Sequence, residues 1–187
     1  MSATPNVPYH LEFSVEVPGT PEQVWQAIAT AKGMSAWFLP TEMEEREGGS
    51  LHFTMGPGWM PFFDNLRLYL SHFPGQEASH LEATASHPGN AQALWSTVHD
   101  LLGLGHEGAA VEVRGATGTV ERVGERQTLV RLTAPVPGML SVYAWDEGGA
   151  KATAGVRAYL FSEDAADYVR REQPAWQAWL DGISVSA

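Results

Sequence analysis

The chain contains the same strand-then-helix pattern twice, and this repetition constrains its fold more than any other feature. The segment YHLEFSVEV followed by GTPEQVWQAIA returns as SHLEATAS followed by GNAQALWSTVHDLLG. Each copy later ends in a Trp-rich amphipathic segment, GWMPFFDNLRLYLSHF in the first and DAADYVRREQPAWQAWLDGI in the second. A supersecondary pattern that recurs in this way indicates a degenerate duplication. The order of strand, helix, further strands and closing helix predicts a fold that holds a ligand.

The first copy begins with a strand and a well-capped helix. Apolar and polar residues alternate over residues 9–17, the period of a strand with one buried face. Thr20 then offers an N-cap, Pro21 suits the first helical position, and Gln23 completes a capping box. A helix is therefore predicted from Pro21 to about residue 31, with an inward stripe formed by Val24, Ala27, Ile28 and Ala31.

A hairpin and a longer helix complete the first copy. Strands are predicted over residues 41–46 and 50–55, on either side of the turn Glu47-Gly48-Gly49. From Gly58 onward the apolar residues fall at helical spacing, until Pro74-Gly75 ends the run near Phe73.

The second copy is longer and richer in strands. A strand over residues 81–86 precedes a helix capped by Asn90, whose predicted inward residues are Leu94, Trp95, Val98, Leu101 and Leu102. The final helix is expected to open at Ser162 and to kink or divide at Pro174. Between the two helices, strands are predicted over residues 110–114, 117–123, 127–133, 139–146 and 152–161.

Composition excludes several classes of partner. The net charge of −11, with only 11 Lys plus Arg, repels phosphate backbones and anionic lipid surfaces, so neither nucleic acid nor membrane is an expected partner. Because the chain has no cysteine, it has no disulfide and no thiolate site. No stretch approaches the length of a membrane-spanning helix, and the start MSATPNVP lacks the features of a signal peptide. We therefore expect an acidic cytoplasmic protein.

Three segments resemble a known superfamily. These are VPGTPEQVWQAI, the run Trp37-Phe38-Leu39-Pro40 and the EREGG turn before Ser50. They resemble the START-like (SRPBCC) superfamily, in the branch related to activators of the heat-shock chaperone ATPase. The resemblance implies an α+β helix-grip fold, in which a curved antiparallel sheet wraps around a long C-terminal helix. It also implies a cavity between that sheet and that helix.

The chain departs from the family pattern in its first copy. The family places several strands between Met55 and Gly58, where this chain has only Gly56 and Pro57. We therefore expect a flexible tail at 1–8, a truncated START-like repeat at 9–76 and a fuller repeat at 77–187. Since a three-stranded sheet is near the lower limit for independent stability, residues 9–73 should pack against residues 79–187 or against another subunit, as in a homodimer.

No catalytic, metal or cofactor site emerges from the sequence. Gly103, Gly105 and Gly108 match a dinucleotide fingerprint in spacing, but they follow a helix and precede a strand, so a helix C-cap explains them better. The seven histidines show no metal-ligand spacing. The acidic cluster Glu42, Glu44, Glu45 and Glu47 is typical of a solvated hairpin rim.

The aromatic residues and one arginine are the remaining candidates. Arg157 is either a surface residue or, if its strand face is enclosed, needs an acidic side chain or an anionic ligand. Large aromatics are typical of a packed core, yet many lie on elements that line the cavity in related folds. The candidate ligand-binding residues are Trp37, Phe38, Phe53, Trp59, Phe63, Trp145, Arg157, Tyr159, Trp176 and Trp179.

Three functions remain open from the sequence. The resemblance favours non-enzymatic binding of a small hydrophobic or aromatic molecule. An interaction or self-association module, chaperone-associated by analogy, is the first alternative. The second is cyclase-like or hydrolase-like chemistry in the same cavity, which would need a tuned acid or base that the sequence does not identify.

Overall fold

A computed structural model describes residues 14–39, 41–46, 51–52, 60–148 and 150–184. The predicted tail at 1–8, most of the predicted strand at 9–17, and the candidates Phe53 and Trp59 lie outside these ranges. Residues 14–17, the described end of that strand, are not in a strand.

The described chain forms five helices and eight strands, which we number in chain order. The helices are α1 (Pro21–Ala29), α2 (Ala31–Ser35), α3 (Met60–His72), α4 (Ala91–Leu102) and α5 (Ala165–Asp181). The strands are β1 (Glu42–Met43), β2 (Leu51–His52), β3 (Ser79–Pro88), β4 (Ala110–Val113), β5 (Ala116–Val123), β6 (Gln127–Ala134), β7 (Gly138–Gly148) and β8 (Lys151–Leu160).

Strands β3 to β8 form one antiparallel sheet, and β1 and β2 form a separate hairpin. The order across the sheet is β3-β8-β7-β6-β5-β4. Strands β7 and β8 carry apolar residues at odd and even positions, and most of their residues on both faces are buried. We call the face that carries Leu140 and Val156 the inner face, and the face that carries Ser141 and Tyr159 the outer face.

Helices α4 and α5 cover the inner face. Leu94 and Val98 of α4 and Leu180 of α5 are fully buried in one hydrophobic cluster with the inner side chains of the sheet. The inner face of β8 carries alanines, including Ala152, Ala154 and Ala158, and such small side chains allow helices to approach the sheet closely.

Both edges of the sheet contact α5. At the β3 edge, Gln177 Nε2 donates a hydrogen bond to the Thr84 carbonyl over 2.8 Å. At the other edge, the guanidinium of Arg114, in the β4–β5 turn, lies 5.1 Å from the Trp176 ring and 5.4 Å from the Trp179 ring. Because the two edge strands reach the same helix, the sheet curves around α5, which confirms the predicted helix-grip architecture.

The outer face is covered by a layer formed by α1, α2, residues 36–39 and α3, which we call the N-terminal layer. Phe38 and Leu66 of this layer share a second hydrophobic cluster with Met139 and Tyr159 of the sheet. Phe73, just after α3, stacks on Phe161, just after β8, with ring centroids 4.3 Å apart. The N-terminal layer thus packs on the sheet formed by residues 79–160, on the side away from α4 and α5.

Some predicted details of the helices are wrong. Ile28 and Leu101 were expected to point inward, but they are 44% and 59% exposed. In α1 and α4 the buried face of the helix is narrower than the stripe of apolar residues. Ile28 and Leu101 therefore lie at the edge of the buried face. Helix α5 begins at Ala165 rather than Ser162 and continues through Pro174 as one helix. Pro174 is exposed, while Trp176 and Leu180 pack beyond it and hold the helix together.

Candidate functional site

A group of polar and aromatic side chains lies on the outer face of β3, β7 and β8. Arg157 of β8 pairs in register with Glu82 of β3 and with Ser141 of β7. Two residues further along β7, Tyr143 lies opposite Gly155, and Trp145 follows on the same face. We call Glu82, Ser141, Tyr143, Trp145 and Arg157 the Arg157 cluster.

Arg157 is enclosed and has an acidic partner. Its side chain is 21% exposed, and its Nη2 donates to Glu82 Oε1 over 2.5 Å, while the Glu82 side chain remains 51% exposed. Of the two partners expected for an enclosed Arg157, the structure supplies the acidic side chain. The guanidinium also forms a hydrogen bond with the Tyr159 hydroxyl. Because a guanidinium has five N–H donors, these two partners still leave donors for a further acceptor.

Tyr143 and Trp145 form an aromatic pair beside this arginine. Their ring centroids are 5.3 Å apart, and their planes are inclined by 28°. The Tyr143 ring lies so close over Gly155 that a Cβ there would be 2.5 Å from Tyr143 Cε2. Burial is the main cause that raises the pKa of the Tyr143 hydroxyl, to about 12. The pair is therefore a neutral aromatic surface at ordinary pH, with Tyr143 in close contact with Gly155 of the neighbouring strand.

Ser141 supplies a hydroxyl without a partner. The residue is 5% exposed, and its Oγ has no hydrogen-bond partner among the described parts of the chain. Buried polar atoms normally have one, so this hydroxyl can accept or donate a bond to a molecule that reaches it. Three other buried atoms share this property: His87 Nε2 and Thr128 Oγ1 on the inner side of the sheet, and Asn65 Oδ1 on α3.

Tyr159 and His80 border the cluster and connect it to the N-terminal layer. The Tyr159 hydroxyl donates a hydrogen bond to the Phe38 carbonyl. The His80 ring packs edge-on against Tyr159, with centroids 5.3 Å apart. Burial raises the pKa of Tyr159 and lowers that of His80, so both groups are held in their neutral forms.

The predicted ligand-binding residues do not meet in one place. Trp145 and Arg157 belong to the Arg157 cluster. Trp176 and Trp179 lie on α5, on the other side of the sheet, and pack against each other at 5.6 Å. Trp37, Phe38 and Tyr159 are buried in the core between the outer face and the N-terminal layer, and Phe63 lies half-buried on α3.

A cavity of about 360 Å³ opens between α3 and the outer face of β5. It is lined mainly by charged side chains, and we call it the α3–β5 cavity. Burial raises the pKa of Asp64 and lowers that of His72 in this cavity. The two residues stand eight positions apart on one helix, about 12 Å along its axis, so they do not form a proton-sharing pair. The charged lining residues are Asp64, Arg67, His72, Glu107, Glu121 and Arg122.

A second cleft, of about 430 Å³, lies between α1, α2 and the end of α3. Most of its polar groups already serve the local structure. Thr20 and Gln23 form the α1 capping box, Thr30 caps α2, and the Tyr69 hydroxyl accepts a bond from Gly75 N over 2.9 Å. The cleft therefore presents few groups that could recognise a ligand.

Neither cavity lies between the sheet and α5. The inner side chains there pack in one cluster in which Trp176 is 5% exposed and Leu180 is fully buried. Within the described ranges, no group of acidic or histidine side chains could hold a metal ion, and no helix is long and apolar enough to cross a membrane.

Sequence reasoning missed Ser141 and Tyr143 as site residues, and a signal for Tyr143 was present. The predicted strands 139–146 and 152–161 follow each other, and folding the first onto the second brings Tyr143 close to Gly155 and Arg157 on one face. Glu82 could not be predicted as the partner in this way, because it lies 75 residues from Arg157 in the sequence. No local pattern indicates which strand pairs with the free edge of β8.

The strand order and the helix that both sheet edges contact define a helix-grip protein of the α+β class. No known family model matches the chain, and no curated protein matches it. The chain is similar to several solved structures. One of them is CalU16 from Micromonospora echinospora, which is 15% identical and has a TM-score of 0.45; the match covers 55% of this chain and 71% of CalU16.

Two further matches have similar values. DynU16, from the dynemicin biosynthetic locus, is 15% identical over 52% of this chain and 42% of its own, with a TM-score of 0.42. This chain thus spans less than half of DynU16. A point mutant of norcoclaurine synthase from Thalictrum flavum, in complex with a transition-state analogue, is 11% identical over 56% and 91%, with a TM-score of 0.41.

Proposed function

We propose that this protein binds, without transforming it, a small aromatic molecule that carries an acidic group, and that the Arg157 cluster is the binding site. One observation supports this proposal above the others. A guanidinium with spare donors, a stacked aromatic pair and a buried hydroxyl without a partner lie together on the outer face of β7 and β8.

Each group has a role that its chemistry favours. Aromatic rings pack well against the Tyr143–Trp145 pair in offset or edge-on arrangements. The Arg157 guanidinium is suited to a carboxylate, which it can bind through two parallel N–H donors. The Ser141 hydroxyl would complete its hydrogen bonding with a second polar atom of the ligand. Together these groups select a flat molecule with an acid at one end.

The packing of the inner face favours this position over the cavity that the superfamily resemblance implies. A ligand between the sheet and α5 would have to displace side chains such as Trp176 and Leu180, which are packed there already. The outer face instead offers groups that are only partly covered, since Tyr143 and Trp145 are half-buried.

Calorimetric titration with naphthoate and naphthamide tests the proposal on the full chain. The two probes share one ring system and differ in the charge of the attached group. We expect naphthoate to bind at least about tenfold more tightly, because a hydrogen bond to a charged group is worth more than a neutral one. Arg157→Gln should remove that preference, and Trp145→Ala should weaken both probes.

Trp25→Ala is the matched control. Trp25 lies on α1 and is 65% exposed, so its removal should leave the affinity for both probes unchanged. The proposal is wrong if neither probe binds saturably, or if binding is the same in the Arg157→Gln and Trp145→Ala variants as in the parent chain.

A further inference from the structure

We propose that the α3–β5 cavity is a second binding site, and that its ligand is a small zwitterion carrying both a carboxylate and an ammonium group. The site is separate from the Arg157 cluster. Arg122 of β5 and Arg157 of β8 lie in one row across the sheet, three strands apart, which places their backbones about 14 Å from each other.

The local structure of β5 directs two opposite charges into this cavity. The register between β5 and β6 shifts between Val120 and Arg122, so an extra residue is inserted at this point. A bulge of this kind re-aims side chains that would otherwise alternate between the two faces. As a result, the consecutive residues Glu121 and Arg122 both line the cavity.

The cavity contains cationic groups that are only loosely held. Arg122 Nε lies 3.8 Å from Asp64 Oδ2, and Arg122 Nη1 lies 3.5 Å from Glu107 Oε1. Both distances are longer than a good hydrogen bond, and the Arg122 side chain is 60% exposed. Arg67 is near enough to lower the Asp64 pKa, yet it forms no ion pair with any described carboxylate. Two guanidiniums are thus available to an incoming carboxylate.

The acidic groups of the cavity come from other elements. Asp64 projects from α3, and Glu107 precedes β4 with its Oε1 fixed by a 3.0 Å bond from Val123 N. Glu121 is already bound to Arg131 over 2.6 Å, so it adds little free charge. Burial disfavours the charged Asp64 carboxylate, and an ammonium group beside it would offset that cost. Asp64 and Glu107 therefore suit a cation.

The volume and the apolar part of the lining of the α3–β5 cavity also fit a small zwitterion. A volume of about 360 Å³ is at the lower end of the range for small-molecule sites. Leu68 and Leu129 are buried apolar residues in the lining, and they can pack against a short methylene chain between the two charged groups. Because acidic and basic side chains in the lining nearly balance, a ligand that carries only positive or only negative charge is disfavoured.

Titration of the full chain with γ-aminobutyrate, butyrate and butylamine, followed by backbone NMR shifts, tests this inference. The three probes share a four-carbon chain and carry both charges, the negative charge and the positive charge respectively. We expect γ-aminobutyrate to shift resonances of α3 and β5 and to bind at least about tenfold more tightly than either single-charge probe. Arg122→Gln should weaken its binding by a similar factor.

Arg170→Gln is the matched control, because Arg170 on α5 forms an exposed ion pair with Asp167 and lies outside the cavity. It should leave γ-aminobutyrate binding unchanged. Equal binding of butyrate, absence of saturable shifts with γ-aminobutyrate, or equal losses in the two arginine variants would each overturn the zwitterion site. None of these results bears on naphthoate binding at the Arg157 cluster, which is measured separately.

Discussion

Gly155 allows the Arg157 cluster to form, because it has no side chain beneath the Tyr143 ring. The ring occupies the space in which a Cβ of residue 155 would stand, 2.5 Å from Cε2 and 2.8 Å from Cζ. The stack of Tyr143 on Trp145 and the position of Tyr143 beside Arg157 both depend on this close approach. One missing methyl group therefore determines the shape of the proposed aromatic surface.

Gly155→Ala should force the Tyr143 ring away from the sheet. We expect a loss of stability of about 1–3 kcal/mol from overpacking, measured by urea unfolding, together with a change in tryptophan emission as the Trp145 stack is disturbed. Gly124→Ala is the control, since a Cβ at residue 124 meets its first neighbour at an ordinary 3.4 Å. Equal effects of the two substitutions would show that the close approach at Gly155 has no special importance.

At the scale of single elements, the β4–β5 turn connects the far edge of the sheet to α5. Arg114 and Gly115 have positive φ angles of 51° and 83°, the combination of a two-residue type I′ turn. The same arginine donates to the Ala175 carbonyl over 3.3 Å and lies over two tryptophan rings. The geometry of the turn thus directs the Arg114 guanidinium towards α5.

Arg114→Asn separates these two roles. Asparagine suits the first position of a type I′ turn, so the hairpin itself should be retained, while the cation–π contacts are lost. We expect faster amide exchange along α5, by about twofold to tenfold, and unchanged exchange in β4 and β5. Arg170→Asn on the exposed side of α5 is the comparison variant. Faster exchange in the hairpin but not in α5 would contradict the assigned role.

The elements of the second copy could be predicted well, and the reason is visible in particular residues. Asn90 caps α4 through a 2.9 Å bond to Ala93 N, and Gly103 ends it with a left-handed φ of 60°. Strands β4 to β8 agree with their predicted bounds within one or two residues, because each is flanked by turn residues. Local chemistry determines such boundaries, so a single sequence reveals them.

The candidate site could be predicted only in part. Arg157 is a candidate because of its place between apolar neighbours, and Glu82 is the acidic side chain that the enclosed alternative requires. Ser141 was missed because a buried hydroxyl without a partner is a property of the packing around it. The α3–β5 cavity depends on a β-bulge and on α3 crossing the outer face, and neither leaves a local pattern.

At the scale of the whole molecule, one sheet separates two hydrophobic clusters. The inner cluster belongs entirely to residues after 79, whereas the outer cluster combines Trp37, Leu66 and other residues of the N-terminal layer with Leu129 and Met139 of the sheet. We therefore expect the sheet and α5 to form the grip without the N-terminal layer, although the outer face then has no cover. The duplication itself stays a prediction, because the described ranges contain the full order of elements only after residue 79.

This asymmetry predicts how the two parts behave when they are made separately. A fragment of residues 1–76 retains α1 to α3 but loses the outer face of the sheet, so we expect no cooperative thermal unfolding from it. A fragment of residues 77–187 exposes Leu129, Met139, Tyr159 and Phe161, which are at most 3% exposed in the full chain. It should fold, bind a hydrophobic dye and melt at a lower temperature than the full chain.

Mixing the two fragments gives the decisive measurement. If the N-terminal layer folds only on the sheet, adding residues 1–76 to residues 77–187 should displace the dye and restore a single transition close to that of the full chain. Tyr159→Phe in the longer fragment removes the hydroxyl that binds the Phe38 carbonyl and should weaken this association by about 1–2 kcal/mol. Cooperative unfolding of residues 1–76 alone would instead show that these residues form an independent domain.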